Sequence, residues 1–206
     1  MAAEKLRTFS KDKELIKERR KFIANKAVKL FLKKGYLKTS IREIATFCEM
    51  GIGTLYHYIG TKDDILALVR ENFSSFFEEI QATLEIRNQN MTSTDKLRKF
   101  IKDYLELVDK NQDIFVFWYQ ETKNLPPDER KELFKGNEIT LKIAEEILVE
   151  GCKRGEFKTI NTTLVAADIA VLGDMWAFMR WYLRKKITLE KFINDQTEII
   201  LSSVRY

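Results

Sequence analysis

An all-α fold follows from three properties of this 206-residue chain. Only two prolines and eight glycines are present, so few positions break a helix. Apolar residues recur at three- and four-residue spacing along most of the length, the period of helices with one buried face. The chain is 45% hydrophobic and 12% aromatic, enough for a sizeable core. A chain of this length accommodates one large domain or a small one followed by a larger one. The pattern divides it at residue 61, into a small amino-terminal head (1–61) and a larger helical body (62–206).

Residues 1–20 are Lys-rich and weakly amphipathic; Lys5, Arg7, Lys11 and Lys13 read equally as an arm that follows DNA or as a solubilising tail. A first helix is expected from Lys11 or Glu14 to Lys34, burying Phe22, Ile23, Ala27, Leu30 and Phe31, with Gly35 as its stop. Ser40 and Glu43 stand at capping-box spacing, the hydroxyl taking a backbone N–H while the carboxylate reaches back. Ile41, Ile44 and Ala45 give the short helix that follows a buried face. Cys48-Glu49-Met50-Gly51 interrupts the pattern, with Gly51 suited to an unusual φ or to a helix N-cap. The next short helix, about Ile52 to Ile59, turns Leu55 and Ile59 inward. Gly53, Thr54 and His57 face outward and Tyr56 and Tyr58 lie on the flanks. Periodicity adds Ile52 to the Leu55 and Ile59 stripe. Gly60-Thr61 ends this helix, and Thr61 with Asp64 caps the next.

That long helix runs from Lys62 to about Ile86 and carries Phe73, Phe76, Phe77, Ile80 and Leu84. Thr92-Ser93-Thr94 caps a helix to about Lys110, with Leu97, Ile101, Tyr104, Leu105 and Val108 on one face. Asp113 to Lys123 forms a short aromatic helix. Pro126-Pro127 breaks the chain, Pro127 fitting the first turn of a helix that runs to about Arg154 and ends at Gly155. The last two helices span about Thr162 to Lys185 and Leu189 to Val204. In the first of them Ala166, Ala170, Gly173 and Ala177 make a smooth face, and Val165, Ile169, Leu172, Trp176, Met179 and Leu183 a bulky one. A helix apolar on both faces is buried on both, one against the body and one against a partner subunit, with Trp181 and Tyr182 as anchors. Plain packing within the chain is the alternative. Asp168, Asp174 and Arg180 interrupt the apolar run Leu164–Leu183, and charges inside a bilayer are costly. No membrane partner is therefore expected.

Two short helices around a tight turn, the second exposing small polar and aromatic side chains, match the way a helix-turn-helix reads bases. Charge agrees. Residues 1–62 hold 15 Lys and Arg against 6 Asp and Glu, and the remainder 21 against 25. A basic head on a mildly acidic body is the electrostatic footprint of nucleic-acid binding. Cys48 and Cys152 make no disulfide framework, and the charged start shows no signal peptide; both suit the cytoplasm.

Residues 20–69 resemble the DNA-binding domain of TetR-type transcriptional regulators. The resemblance rests on Ala27, Leu30-Phe31, Gly35-Tyr36, Thr39-Ser40, Ile44-Ala45, Gly53-Thr54-Leu55-Tyr56-His57-Tyr58, Lys62 and Ile65-Leu66, in order and without gaps. It implies a recognition helix from about Gly51 to Ile59, with Thr54 and His57 near base edges alongside Gly53. It also implies Ile52 at the groove edge, where it can touch a thymine methyl. It implies Tyr56, Tyr58 and Lys62 on phosphates, and Thr39, Ser40 and Arg42 at the backbone or groove edge. Where the family often has Ala-Gly-Val-Ser, this chain has Cys48-Glu49-Met50-Gly51, which removes a Ser cap with its phosphate contact and puts an acid near DNA. The resemblance further implies a homodimer through the last two helices, bound to a palindromic double-stranded operator, and an effector-binding body.

For that body, Phe73, Phe76, Phe77, Tyr104, Phe115, Trp118, Tyr119, Phe134, Met175, Trp176 and Met179 are the expected lining of an apolar cavity. A mostly apolar pocket with few polar groups is the usual form of a small-molecule site; an ordinary core is the alternative for each residue singly. Asp174-Met175-Trp176 through Arg180-Trp181 and Thr188-Leu189-Glu190 to Glu198 resemble regulators of fatty-acid metabolism, which implies acyl-CoA as effector. An aromatic drug-like molecule fits the same body. No cofactor or metal is expected. Repression relieved by a hydrophobic small molecule is the family's usual output. Two other classes compete: an enzyme, for which His57, the only histidine, has no nearby nucleophile, and a lipid-carrying or protein-interaction module that does not touch DNA.

Overall fold

The computed structural model describes residues 2–83, 90–121 and 127–206, without side chains for 2–12, 73–81, 83, 127–130, 132, 133, 135 and 136. Every regular element among them is helical, so the all-α expectation holds. The chain falls into two compact units, Met1–Phe73 and Ser74–Tyr206.

In the first unit α1 spans Ala2–Lys34. It begins well before Lys11, because Ala, Glu, Lys, Leu and Arg at its start are strong helix formers and no Gly or Pro intervenes. Ile23, Ala24, Ala27, Val28, Leu30 and Phe31 are buried. Phe22 is not among them; its ring is exposed, with the Lys26 ammonium 5.5 Å from its centroid. Gly35 takes φ +85°, and its N–H closes the helix on the Phe31 carbonyl at 2.7 Å. This left-handed C-cap is open to glycine without steric cost. Helices α2 (Ile41–Phe47) and α3 (Ile52–Tyr56) follow. Ile44, Ala45, Leu55, Ile59, Ile65 and Val69 complete the core of this unit, the last two from α4 (Lys62–Thr83), which continues beyond it. The end expected for α4 near Leu84 and Ile86 lies outside the described residues.

The second unit contains α5 (Ser93–Lys110), α6 (Gln112–Glu121), α7 (Pro127–Lys153), α8 (Thr162–Phe178), α9 (Arg180–Leu183) and α10 (Leu189–Val204). Helices α5, α7 and α8 pack mutually, α10 lies against α5 and α8, and α6 against α8. The start of α5 is held from a distance: Glu156 accepts the Ser93 and Thr94 N–H groups, both at 3.0 Å, satisfying donors a helix start leaves open. The buried Lys96 ammonium pairs with Glu150 at 2.8 Å.

The single helix expected from Thr162 to Lys185 is broken. Gln112, buried, donates its side-chain amide to the carbonyls of Trp176 and Ala177, at 3.3 and 3.1 Å. Arg180 pairs with Asp113 at 3.0 Å and Arg184 with Asp109. These contacts fasten the end of α8 to α5 and α6 and restart the chain as α9. The two expected faces of α8 also differ from the observed ones. Ala166, Gly173 and Ala177 are buried together with Ile169, Leu172 and Trp176, so both stripes serve this chain's own body. The side of the last helices that remains open carries Leu164, Val171, Met179, Trp181, Tyr182 and Ile199. Among the described residues no helix is long and apolar enough to cross a membrane.

Candidate nucleic-acid interface and effector cavity

Helix α2 is set by its start. Ser40 Oγ accepts from the Glu43 N–H at 3.3 Å, and Glu43 Oε2 accepts from the Ser40 N–H at 2.9 Å, a complete capping box. Glu43 also pairs with Lys34 at the end of α1. The Lys34 ammonium first, and then the Ser40 donors, hold its carboxyl down at about 2.

The turn that follows bends at Glu49, which takes φ +58°, while Gly51 is extended (φ −63°, ψ 143°) and stands as N-cap of α3. Of the two uses open to Gly51, the cap is the one realised. Burial pushes the Cys48 thiol up to about 11, against a smaller opposing pull from Lys26. Within α3 only Leu55 is buried; Ile52, Gly53, Thr54 and Tyr56 are exposed, as is His57 at its C-cap. A Cβ placed on Gly53 would meet nothing within 4 Å, so another surface can approach the backbone closely there. The end of α3 is tied to α1 by Arg20, whose Nε donates to the Tyr58 carbonyl at 3.0 Å.

Two expected DNA contacts are engaged internally instead. Thr39 is 2% exposed and its hydroxyl donates to the Gly35 carbonyl at 2.9 Å. Lys62 Nζ donates to the carbonyls of Tyr36 (3.0 Å) and Thr39 (3.1 Å) and lies 4.3 Å from the Tyr36 ring centroid. Both residues close the loop between α1 and α2; Thr39 is buried there, while Lys62 is half-exposed and keeps one of its three ammonium protons outside these two bonds. Tyr58 is half-buried. Ser40, Arg42, Gly53, Thr54, Tyr56 and His57 remain open to solvent.

In the second unit a partly open cavity of about 220 Å³ is lined by Tyr104 of α5, Phe115 of α6, Asn137, Thr140 and Leu141 of α7, and Ala167, Ala170, Val171 and Asp174 of α8, of which Asn137 and Val171 are exposed. Of the expected lining, Tyr104 and Phe115 are present. The side chains of Phe73, Phe76 and Phe77 lie outside the described residues. Trp176 packs on Phe192 with ring centroids 4.9 Å apart and donates its indole N–H to Asp109 at 2.7 Å. Trp118 is buried edge-on against Phe117, Tyr119 lies tilted against Phe178 with its own ring exposed, Phe134 and Met179 are exposed, and Met175 is half-buried. None of these six borders this cavity.

What sequence reasoning missed is the polar part of the lining: Asn137, Thr140 and Asp174. An Asp inside the apolar run of α8 was the available signal. Tyr104 donates its hydroxyl to the Ala170 carbonyl at 2.9 Å, and burial, then the Asp174 charge, push that phenol above its ordinary range. Gly173 makes room for it, since a Cβ there would lie 2.3 Å from the Tyr104 oxygen. Burial also raises the Asp174 carboxyl.

Comparison with known proteins covers both units. Residues 23–69 match the family model described as bacterial regulatory proteins, tetR family, and residues 90–203 match tetracyclin repressor-like, C-terminal domain. The HTH-type transcriptional regulator HbdR of Aromatoleum sp. (strain CIB) is 30% identical over 94% of this chain and 84% of its own length. The fatty acid metabolism regulator protein of Bacillus subtilis (strain 168) is 27% identical over 88% of this chain and 93% of its own. The crystal structure of AibR in complex with isovaleryl coenzyme A and operator DNA superposes with a TM-score of 0.69 at 20% identity, over 88% of this chain and 97% of that one.

Proposed function

The chain belongs to the TetR family of bacterial regulatory proteins, ligand-responsive DNA-binding transcriptional regulators, and we propose that it is a cytoplasmic repressor released from a palindromic operator by a hydrophobic small molecule. The observation that carries this reading is the surface of α3, where a single buried Leu55 anchors a helix whose other side chains stand in solvent. Thr54 and His57 are assigned to base edges, Tyr56 and Gly53 to close approach, and Ser40 and Arg42 to the flanking backbone. Lys62 and Thr39 act indirectly, by holding the loop that positions α2.

The partner subunit is assigned to the open apolar side of the last helices, where Leu164, Val171, Trp181, Tyr182 and Ile199 are exposed. A dimer sets two recognition helices about one DNA turn, roughly 34–36 Å, apart. The effector is assigned to the cavity between α5, α6, α7 and α8. A compact acyl-CoA is the class supported by the isovaleryl coenzyme A bound to AibR. The cavity's volume is below the about 300–1,000 Å³ usual for small-molecule sites, which favours a short acyl group over a long one. Coupling of about 1–3 kcal/mol between the sites changes operator affinity some 5- to 150-fold.

The test is a salt-resolved mobility shift on the DNA upstream of the protein's own coding region. Binding whose logarithm falls steeply with log salt supports the regulator; no binding at any salt favours the carrier module. His57→Ala is expected to discriminate unequally among operator variants, by about 1–3 kcal/mol at one position, with no change in thermal stability.

A further inference from the structure

We infer that the cavity selects an effector whose buried end carries a hydrogen-bond donor, a hydroxyl or a protonated amine, and rejects one that ends in a carboxylate. The inference rests on the assignment of the cavity as the effector site.

Most of the cavity wall is apolar, which supplies affinity without direction. Direction comes from Asp174 and Thr140, which face it from α8 and α7. Thr140 is 3% exposed and Asp174 is half-buried, and neither makes a side-chain hydrogen bond or ion pair among the described residues. Both therefore have hydrogen-bonding capacity left to turn toward the cavity, and a ligand that displaces their water must satisfy it. The charge of the set is one-sided, a carboxyl group with no cation beside it, while Asn137 can donate as well as accept. The Tyr104 hydroxyl already gives its proton to the Ala170 carbonyl, so toward the cavity it can only accept. Asp174 accepts when ionised. Thr140 can do either. Among the described residues that line the cavity none is Lys, Arg or His, so a carboxylate placed there would meet a second carboxylate and no cation to balance it. Like charges at close range are unfavourable, and more so away from water. A donor on the ligand answers both the unpaired acceptor and the missing charge. The raised carboxyl of Asp174 agrees with a group that lacks its partner until the ligand arrives.

The experiment uses three probes of equal length on the full chain: hexylamine, hexanol and hexanoate, titrated by ligand-observed NMR at neutral pH. Hexanoate is expected to bind at least about tenfold more weakly than the tighter of the other two. Asp174→Asn, nearly isosteric, is expected to shrink that gap to a few-fold. A preference for hexylamine that Asp174→Asn abolishes identifies an ionised carboxylate and a cationic effector; a preference for hexanol identifies a neutral donor. Hexanoate binding as tightly as the others to the unaltered protein overturns the inference, and needs no variant to fold. Ala167→Leu, which fills the cavity, separates the two levels. If it weakens all three probes while hexanoate shows no handicap, the cavity stands and the donor rule falls. If it weakens none, the effector assignment falls and the donor rule with it.

Discussion

In the amino-terminal unit a five-residue helix holds one side chain in the core and leaves the rest in solvent. In the carboxyl-terminal unit four helices keep Tyr104, Phe115 and Thr140 buried beside a partly open cavity. The first arrangement suits a partner that is large, rigid and outside; the second suits one that must be desolvated to be recognised. The contrast has an energetic side. Side chains that touch only solvent can be exchanged with little effect on folding, whereas Tyr104, Phe115 and Thr140 beside the cavity are also core residues. Specificity in the head can therefore change by surface substitution, while in the body each change of specificity also alters packing.

The sharpest way to break that comparison is Leu55→Ala, the one α3 substitution that reaches the core. It is expected to cost about 2–5 kcal/mol and to abolish operator binding. Trp118, Trp176 and Trp181 all lie in the body, so tryptophan fluorescence reports that unit alone. Urea unfolding followed by tryptophan emission should hardly move in this variant. A large shift would mean that the two units do not unfold separately.

Gly173→Ala is the reciprocal change. Its new methyl group would sit 2.3 Å from the Tyr104 oxygen and 2.7 Å from the ring carbon that bears it. Overpacking of this kind costs about 1–3 kcal/mol, and here it should lower the tryptophan-detected midpoint without touching operator affinity. Adding Tyr104→Phe removes the nearest atom, so the double variant should recover part of the loss. Failure to recover would place the strain elsewhere in α8.

Legibility in the sequence followed the range of the interactions. The Ser40–Glu43 box spans three residues, and the burial of Leu55 and Ile59 follows from periodicity within a single turn; both were readable. Lys62 reads as a free cation because its partners, the carbonyls of Tyr36 and Thr39, lie 26 and 23 residues away. The break in α8 depends on Gln112, more than 60 residues from the carbonyls it takes. The cavity was the hardest case. Aromatic content forecasts a core, but which rings border a space depends on four helices meeting, and Trp118 and Trp176 pack closely on Phe117 and Phe192. The polar lining residues carry no local signature beyond an Asp within an apolar run.

Glu43 offers a pH-dependent test of the head. Its carboxyl sits at about 2 against an ordinary 4.5, owing chiefly to Lys34. A carboxyl whose folded pKa is depressed stabilises fully above its unfolded value and loses that contribution as pH falls toward the folded one. The difference in thermal midpoint of the head between the parent and Glu43→Gln should be largest at pH 7. It should narrow from about pH 4.5 downward and vanish near pH 2. A gap independent of pH would assign the effect to packing rather than to charge.

The smallest expected effect concerns the turn that sets α3. Glu49 holds φ +58° with a side chain that disfavours it, at the place where an acid stands beside the path assigned to the phosphates. Glu49→Gly relieves the backbone but adds freedom to the unfolded chain, so a net gain of about 0.5 kcal/mol is expected in the head alone. It also removes a negative charge from the docking side and should tighten binding to all duplexes alike. Glu49→Ala separates the two causes, because it deletes the charge while keeping a Cβ in the left-handed region. If the turn is strained and the charge faces DNA, Ala tightens binding without stabilising and Gly does both. Should neither variant alter affinity, the surface of α3 is turned away from the nucleic acid, and the exposure that distinguishes the head from the body would need another partner to explain it.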